Sequence, residues 1–138
     1  MKEWTVEASK DNIPAIMEQV GRELDALGCA LKARKQINVA LDELLSNIAY
    51  YAYAPGTGST SVQMDYEEST GTVSLSFLDS GAPYNPLEKA DPDVTLAAEE
   101  RPVGGLGILM VKRKMDEMDY RRENNRNILT IRKRIREE

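Results

Sequence analysis

Histidine is absent from this chain of 138 residues, and cysteine occurs once, as Cys29. These absences exclude histidine-ligated zinc, histidine-dependent nucleophilic catalysis, a histidine phosphoacceptor and any disulfide within the chain. Chemistry must therefore rest on carboxylates, amides, backbone groups or a hard metal ion. Cys29 itself, near the end of an amphipathic stretch, is predicted to be a small buried side chain.

Long apolar runs are also lacking, since no stretch of about 18 apolar residues is present to span a membrane. The first residues, MKEWTVEASKDN, do not show the basic and then apolar order of a signal peptide. From the length and the 41% apolar content we expect one domain, residues 1–138, with a single core. We also expect a cytoplasmic protein.

Negative charge predominates, with a net charge of −5, which argues against non-specific binding of nucleic acid. Basic residues nevertheless concentrate near the C-terminus, where residues 112–138 hold 10 basic and 6 acidic side chains. This end could contact an acidic partner or a phosphate. The interpretation that we favour is a solvated helix face and an edge strand that Lys and Arg protect from aggregation.

Apolar periodicity predicts the element order β-α-α-β-β-loop-α-β-β. The predicted strands are 3–8, 60–68, 72–80, 118–123 and 127–135, and the predicted helices are 9–28, 31–53 and a third from the glycines at 104–107 to about Glu117. This order is typical of an α/β two-layer sandwich, with helices on one face of a mixed, mostly antiparallel sheet. The loop 80–103, with at most a short helix at 93–100, is long enough to be a lid or a binding loop.

The second helix carries an acid and an amide on one side. Glu43 and Asn47 lie together, about 130° from the middle of the predicted core face. The core face comprises Ile37, Leu41, Leu44, Leu45, Ile48 and Ala52, and the neighbours of the pair are Val39, Ala40, Tyr50 and Tyr51. Such pairs occur on many surface helices, but apolar and aromatic neighbours favour a pocket wall. An Asn amide oxygen can bind magnesium, and a Glu can accept a proton from a hydroxyl.

Asp79 ends a strand whose alternate residues are apolar. Because Val73, Leu75 and Phe77 share one face of this strand, Asp79 is predicted to point to the buried side. A buried carboxylate needs hydrogen-bond donors, which either the protein's own amides or a ligand amine can supply. The alternative is that Asp79 starts an Asx-type turn with Ser80 and Gly81.

Glycines open the third helix in VGGLGILMVKRKM, residues 103–115. Gly104, Gly105 and Gly107 leave backbone N–H groups at the helix N-terminus accessible, and such groups receive phosphates. The stretch is neither a Walker loop nor a dinucleotide fingerprint, because no Gly-Lys-Ser/Thr follows and no strand precedes. By itself, a glycine-rich turn into a helix is more often structural.

The stretches DELLSN, DSGAP and GGLGI together resemble, in order and spacing, the N, G1 and G2 boxes of the GHKL (histidine kinase-like) ATPase superfamily. Within it the chain is most similar to the anti-sigma factor serine/threonine-protein kinase family, and the resemblance spans nearly the whole chain. It implies a Bergerat-type ATP-binding fold with ATP and Mg²⁺ as cofactors. Each box is weak by itself, but three in register are specific.

The resemblance also implies roles for individual residues. Glu43 would be the general base, Asn47 the magnesium ligand and Asp79 the acceptor from the adenine amine, while Gly81 would let adenine approach the strand end. Gly104, Gly105 and Gly107 would bind the phosphates through backbone N–H groups, and Arg101 could reach the γ-phosphate, although no motif position fixes it. Tyr51 stands where many relatives carry a histidine.

The function implied is that of an anti-sigma factor kinase, which binds a sigma factor and phosphorylates a small anti-anti-sigma (STAS-type) protein on serine. Homodimerisation is implied by the resemblance alone. The alternative is a non-catalytic ATP-binding partner-switching module, which would not need Glu43. The catalytic domain of a sensor histidine kinase is disfavoured, because the chain lacks histidine and a dimerisation helix.

Overall fold

A computed structural model describes residues 1–53, 56–88 and 106–136. Within these residues the chain forms five strands and three α-helices. The strands are β1 (Lys2–Glu7), β2 (Ser59–Glu67), β3 (Thr72–Asp79), β4 (Glu117–Glu123) and β5 (Arg126–Arg134), and the helices are α1 (Ile13–Ala26), α2 (Leu31–Asn47) and α3 (Leu106–Lys114). The strand order is β1-β2-β3-β5-β4, with every described pair antiparallel. The predicted two-layer architecture is confirmed.

One core lies between the helices and a single face of the sheet. Side chains alternate between the two faces of a strand, so residues two apart in β2, β3 and β5 point to the helices. The sheet contributes Val62, Met64, Val73, Leu75, Phe77, Leu129 and Ile131, and the helices contribute Ile13, Ile16, Val20, Leu24, Ile37, Leu41, Leu44, Leu45, Ile108 and Val111. The core face predicted for the second helix is buried at Ile37, Leu41, Leu44 and Leu45, and half-buried at Ile48 and Ala52.

The boundaries of α1 follow from local chemistry. The Ser9 hydroxyl accepts from the Asp11 N–H at 3.3 Å in a short 3-10 turn, Lys10–Asn12, that leads into the helix. Gly28 has a φ of 73°, a left-handed conformation that stops a helix and that glycine adopts without strain. Cys29 follows and is only half-buried, yet burial raises the pKa of its thiol. The buried position predicted for Cys29 is thus only partly reached.

Two helices differ from their predicted lengths. The α-helical part of α2 ends at Asn47, and a π-helical turn, Ile48–Ala52, takes up the rest of the predicted helix. Helix α3 ends at Lys114 rather than near Glu117, because Glu117 already pairs with Arg132 in the sheet. Long-range pairing therefore decides where α3 ends, and helical periodicity cannot show it.

Much of the basic C-terminal region is paired within the sheet. The Arg132 guanidinium lies 2.6 Å from Asp119 and 3.3 Å from Glu117, and its hydrogen bond to Asp119 raises the pKa of Arg132. Lys133 also lies 3.7 Å from Asp116. Arg132 and Lys133 lie on β5, an inner strand between β3 and β4, so the interpretation that Lys and Arg protect an edge strand stays a prediction. Among the described residues, no helix combines the length and apolar character needed to cross a bilayer.

Candidate functional site

The end of β3 meets two other elements at one end of the sheet. Asp79 pairs with Thr60 of β2 on one side and with Asn127 of β5 on the other. The segment that follows β3 packs against the π-helical turn after α2, where the Ala82 N–H donates to the Ala52 carbonyl at 3.2 Å. The chain therefore brings the second predicted motif next to the C-terminal end of the helix that carries the first.

Asp79 is almost completely buried, with 7% of its surface exposed. Its Oδ1 accepts from the Gly81 N–H and from the Asn127 side-chain amide, both at 2.9 Å. The first of these bonds is the Asx-type turn predicted as an alternative. No described residue donates to the second carboxylate oxygen, Oδ2. One oxygen thus stabilises the turn, and the other remains available to accept a hydrogen bond.

Gly81 is required by the protein's own backbone. A Cβ at this position would collide with the carbonyl of Ala52, whose position the π-helical turn fixes. The Gly81 carbonyl in turn accepts from the Arg122 guanidinium at 2.8 Å. The role predicted for Gly81, which is to let adenine approach, stays a prediction beside this observed packing constraint.

Asn127 is a member of the site that sequence reasoning missed. It is 6% exposed and hydrogen-bonds Asp79, with which it is paired across β3 and β5. The sequence predicts it only as the first residue of the strand 127–135, yet it is two residues before Leu129 and so shares the inward face of β5. This period-two relation is the signal that could have found it.

The third predicted motif lies against the first. Gly107, in the first turn of α3, approaches Glu43 so closely that a Cβ there would collide with the Glu43 carboxylate. The first N–H groups of a helix have no partner within it and attract anions. Glu43 and Asn47 are both half-buried, and neither side chain hydrogen-bonds any described residue. The structure thus brings an acid of α2 and the N-terminus of α3 together.

The predicted pocket wall around Glu43 is only partly enclosed. Ala40 is fully buried in the core, whereas Val39, Tyr50 and Tyr51 are 44%, 55% and 70% exposed. The rings of Tyr50 and Tyr51 pack on each other with centroids 6.3 Å apart. Among the described residues, therefore, the aromatic part of this wall faces solvent.

The remaining candidates fall outside the described residues. They are Arg101, Gly104 and Gly105, with most of the predicted loop 80–103 and the short helix predicted at 93–100. Of that loop, the structure describes a 3-10 turn, Pro86–Glu88. In the described part of the chain, no group of three or more acidic or cysteine side chains is arranged to hold a metal ion.

A comparison with known protein families assigns the chain to one of them. Residues 6–133 match the model of the histidine kinase-like ATPase domain. The chain belongs to this family. The description of the family implies ATP binding, and it confirms the resemblance drawn from DELLSN, DSGAP and GGLGI.

The sequence is also similar to that of a protein named as a kinase. The chain is 27% identical over 100 residues to the serine/threonine-protein kinase BtrW of Bordetella bronchiseptica, and the match covers 72% of this chain and 70% of the relative. The chain is therefore a kinase-like ATPase homologous, at a distance, to a protein named as a serine/threonine kinase.

Solved structures share the fold. The crystal structure of the RsbU and RsbW domains of Rv1364c from Mycobacterium tuberculosis matches with a TM-score of 0.63 and 15% identity, over 98% of this chain and 33% of that one. The histidine kinase domain of a blue-light activated histidine kinase from Erythrobacter litoralis matches with a TM-score of 0.51 and 14% identity, over 89% and 61%. The chain spans about a third of the first of these solved chains.

Proposed function

We propose that this protein is an ATP-dependent serine kinase of the anti-sigma type. The observation that carries the proposal is the contact between the Glu43 carboxylate and the first turn of α3 at Gly107. A helix N-terminus attracts phosphate, and a carboxylate beside it is placed to accept the proton of an incoming hydroxyl. A module that only binds ATP has no need for this acid.

The buried end of the site would hold the base of the nucleotide. Asp79 is held by two donors on Oδ1, so Oδ2 faces no competing protein donor among the described residues. Ionised carboxylates only accept hydrogen bonds, and the exocyclic amine of adenine only donates. Asp79 therefore suits adenine, with Gly81 next to it in the turn.

The other end would hold the metal and the phosphates. Asn47 offers an amide oxygen with no described hydrogen bond, a ligand type that fits a hard cation bound mainly by phosphate oxygens. Gly104, Gly105 and Gly107 would donate backbone N–H groups to the phosphates, and Arg101 would reach the γ-phosphate. Mg²⁺, when bound there, neutralises charge on the transferring group.

The reaction is transfer of the γ-phosphoryl group to a serine hydroxyl. A bond forms between the serine oxygen and phosphorus, the bond from phosphorus to the oxygen bridging to ADP breaks, and the hydroxyl proton passes to Glu43. In such transfers the protein acts mainly by positioning and by charge neutralisation. Because Glu43 is the acid that contacts the first turn of α3 among the described residues, its removal is the most direct test.

The partners proposed are a sigma factor and a small STAS-type anti-anti-sigma protein that accepts the phosphoryl group. The family resemblance supports them, as do the similarity to the kinase named BtrW and the shared fold with a structure titled as containing an RsbW domain. We include in the proposal a single domain over residues 1–138, a cytoplasmic location and homodimer formation.

The test is Glu43→Gln, assayed with labelled ATP and candidate STAS-type partners. Removing the base is expected to lower the rate of phosphotransfer by about 100-fold or more, with the affinity for ATP nearly unchanged. Asp42→Asn is the matched control, since this neighbour on α2 is exposed and its carboxylate accepts from the Ser46 hydroxyl at 3.4 Å. Its phosphotransfer rate should equal that of the parent.

Two outcomes would contradict the proposal. ATP binding by the parent without labelling of any partner would support the non-catalytic switching module instead. Full phosphotransfer by Glu43→Gln would show that the kinase uses another base, and the role given to Glu43 would be wrong.

A further inference from the structure

The Asn127 side chain makes four hydrogen bonds at the buried end of the candidate site. Its Nδ2 donates to Asp79 Oδ1 and to the Ala82 carbonyl, both at 2.9 Å. Its Oδ1 accepts from the Tyr84 N–H at 3.2 Å and from the Tyr120 hydroxyl. One buried amide thus joins β5 to the end of β3, to the segment after it and to β4.

These partners allow only one orientation of the amide. A backbone carbonyl can only accept, so Nδ2 must face Ala82, and a backbone N–H can only donate, so Oδ1 must face Tyr84. The Tyr120 hydroxyl donates to the same oxygen and occupies its second lone pair. A flipped amide would leave several buried groups without partners, which carries a large free-energy cost.

The fixed orientation uses both hydrogens of the amide. One is held by Asp79 and the other by Ala82, so Asn127 has no hydrogen left for a ligand. Beside it, the Oδ2 atom of an ionised Asp79 carboxylate accepts and does not donate. Among the described residues, the site therefore presents an acceptor and no donor to the edge of a base that lies against Asp79. A base with a carbonyl at that point would place its oxygen against the carboxylate oxygen with no proton between them.

We propose that Tyr120 and Asn127 are positioning residues that make this site select a purine with an exocyclic amine over a purine with a carbonyl in its place. They act through Asp79, by holding Oδ1 and leaving Oδ2 to the ligand. The inference rests on the ATP site proposed above. It concerns which base is accepted and is independent of Glu43 and of phosphotransfer.

The test compares the binding of ATP with that of inosine triphosphate. Inosine triphosphate carries a carbonyl in place of the exocyclic amine of ATP, and its adjacent ring nitrogen carries a proton. The parent should bind ATP at least about tenfold more tightly, because the carbonyl leaves a buried carboxylate oxygen without a donor. Tyr120→Phe, which removes only the hydroxyl, should reduce this ratio about threefold through weaker ATP binding. The affinity for inosine triphosphate should change little, whereas a merely structural defect would lower both affinities together.

The matched control is Tyr66→Phe. Tyr66 is also half-buried against the core on the inner face of the sheet, and its hydroxyl bonds no described residue. The ratio of the affinities of Tyr66→Phe for ATP and inosine triphosphate should equal that of the parent. Asn127→Asp is the stronger second variant, because the same shape can no longer donate to Asp79, and we expect a larger fall in the ratio.

The outcomes separate this inference from the proposed function. Thermal unfolding would first show that Tyr120→Phe and Asn127→Asp are folded. If the parent prefers ATP and both folded variants keep the parent's ratio of affinities for ATP and inosine triphosphate, the positioning role is wrong and the ATP site stands. If the parent binds neither nucleotide, the proposed function fails and this inference fails with it.

Discussion

Asp79 and Glu43 are both acids of the candidate site, but their surroundings differ. Asp79 is 7% exposed and is held by donors from Gly81 and Asn127. Glu43 is half-buried and hydrogen-bonds no described residue, although it touches the first turn of α3. Among the described residues, the acid proposed to bind adenine is therefore held by two donors, and the acid proposed to accept a proton has no hydrogen-bond partner.

The difference indicates a division between binding and chemistry. A buried polar network has a single arrangement and is costly to disturb, so it recognises a ligand without reorganising. A general base must instead exchange a proton with an incoming hydroxyl, which a permanently paired carboxylate does poorly. We infer that changes near Asp79 should affect stability and nucleotide affinity, and that changes near Glu43 should affect the rate of phosphotransfer.

Gly81→Ala should give the largest effect. The added Cβ would collide with the Ala52 carbonyl, and backbone cannot move aside as a side-chain end can. We expect a loss of about 2 kcal/mol or more in the free energy of unfolding. Urea unfolding followed by circular dichroism would measure it, and a stability equal to that of the parent would show that the segment after β3 is not fixed against Ala52.

The contrast between the two acids could be predicted from the sequence only in part. Helical periodicity placed Glu43 and Asn47 off the core face of α2, and strand alternation turned Asp79 inward, because both positions depend on local repeats. The contact between Glu43 and Gly107 was not predicted from the sequence, because it depends on how α3 packs against α2. The roles that the resemblance implies for these two residues stay predictions.

What the sequence did not reveal depends on register and on close packing between distant segments. Asn127 lies 48 residues from Asp79, and their pairing follows from the register of β3 and β5, which no local pattern shows. The packing of Gly81 against Ala52 likewise joins distant segments, because Ala52 lies in a π-helical turn where the sequence predicts regular helix. Tyr51 lies in the same turn and is exposed.

Gly107→Ala should affect the other end of the site, with an intermediate effect. Alanine is the better helix former by up to about 1 kcal/mol, so stability should be kept or raised. The new Cβ would displace the end of the Glu43 side chain, which can rotate away. We expect phosphotransfer at saturating ATP to fall about tenfold, with ATP affinity much less affected.

A double-mutant cycle tests whether Gly107→Ala acts through Glu43. When two changes disturb one interaction, their effects on the rate do not add. Gly107→Ala should therefore cause little further loss in a chain that already carries Glu43→Gln. Independent, additive losses would show that α3 contributes to the rate by a route other than the placement of this acid.

Tyr53→Phe should have the smallest effect. It tests the division between binding and chemistry at the end of the site that is proposed to hold adenine. The Tyr53 hydroxyl accepts from the Ser80 N–H and donates to the Ser59 carbonyl, both at 2.6 Å, and so ties the end of β3 to the start of β2. Its removal should cost about 1 kcal/mol of stability. Because this tie lies next to Asp79 in the chain, ATP affinity should fall slightly while the rate at saturating ATP stays unchanged. A lower rate with unchanged affinity would mean that the base-binding and proton-accepting ends are not separable.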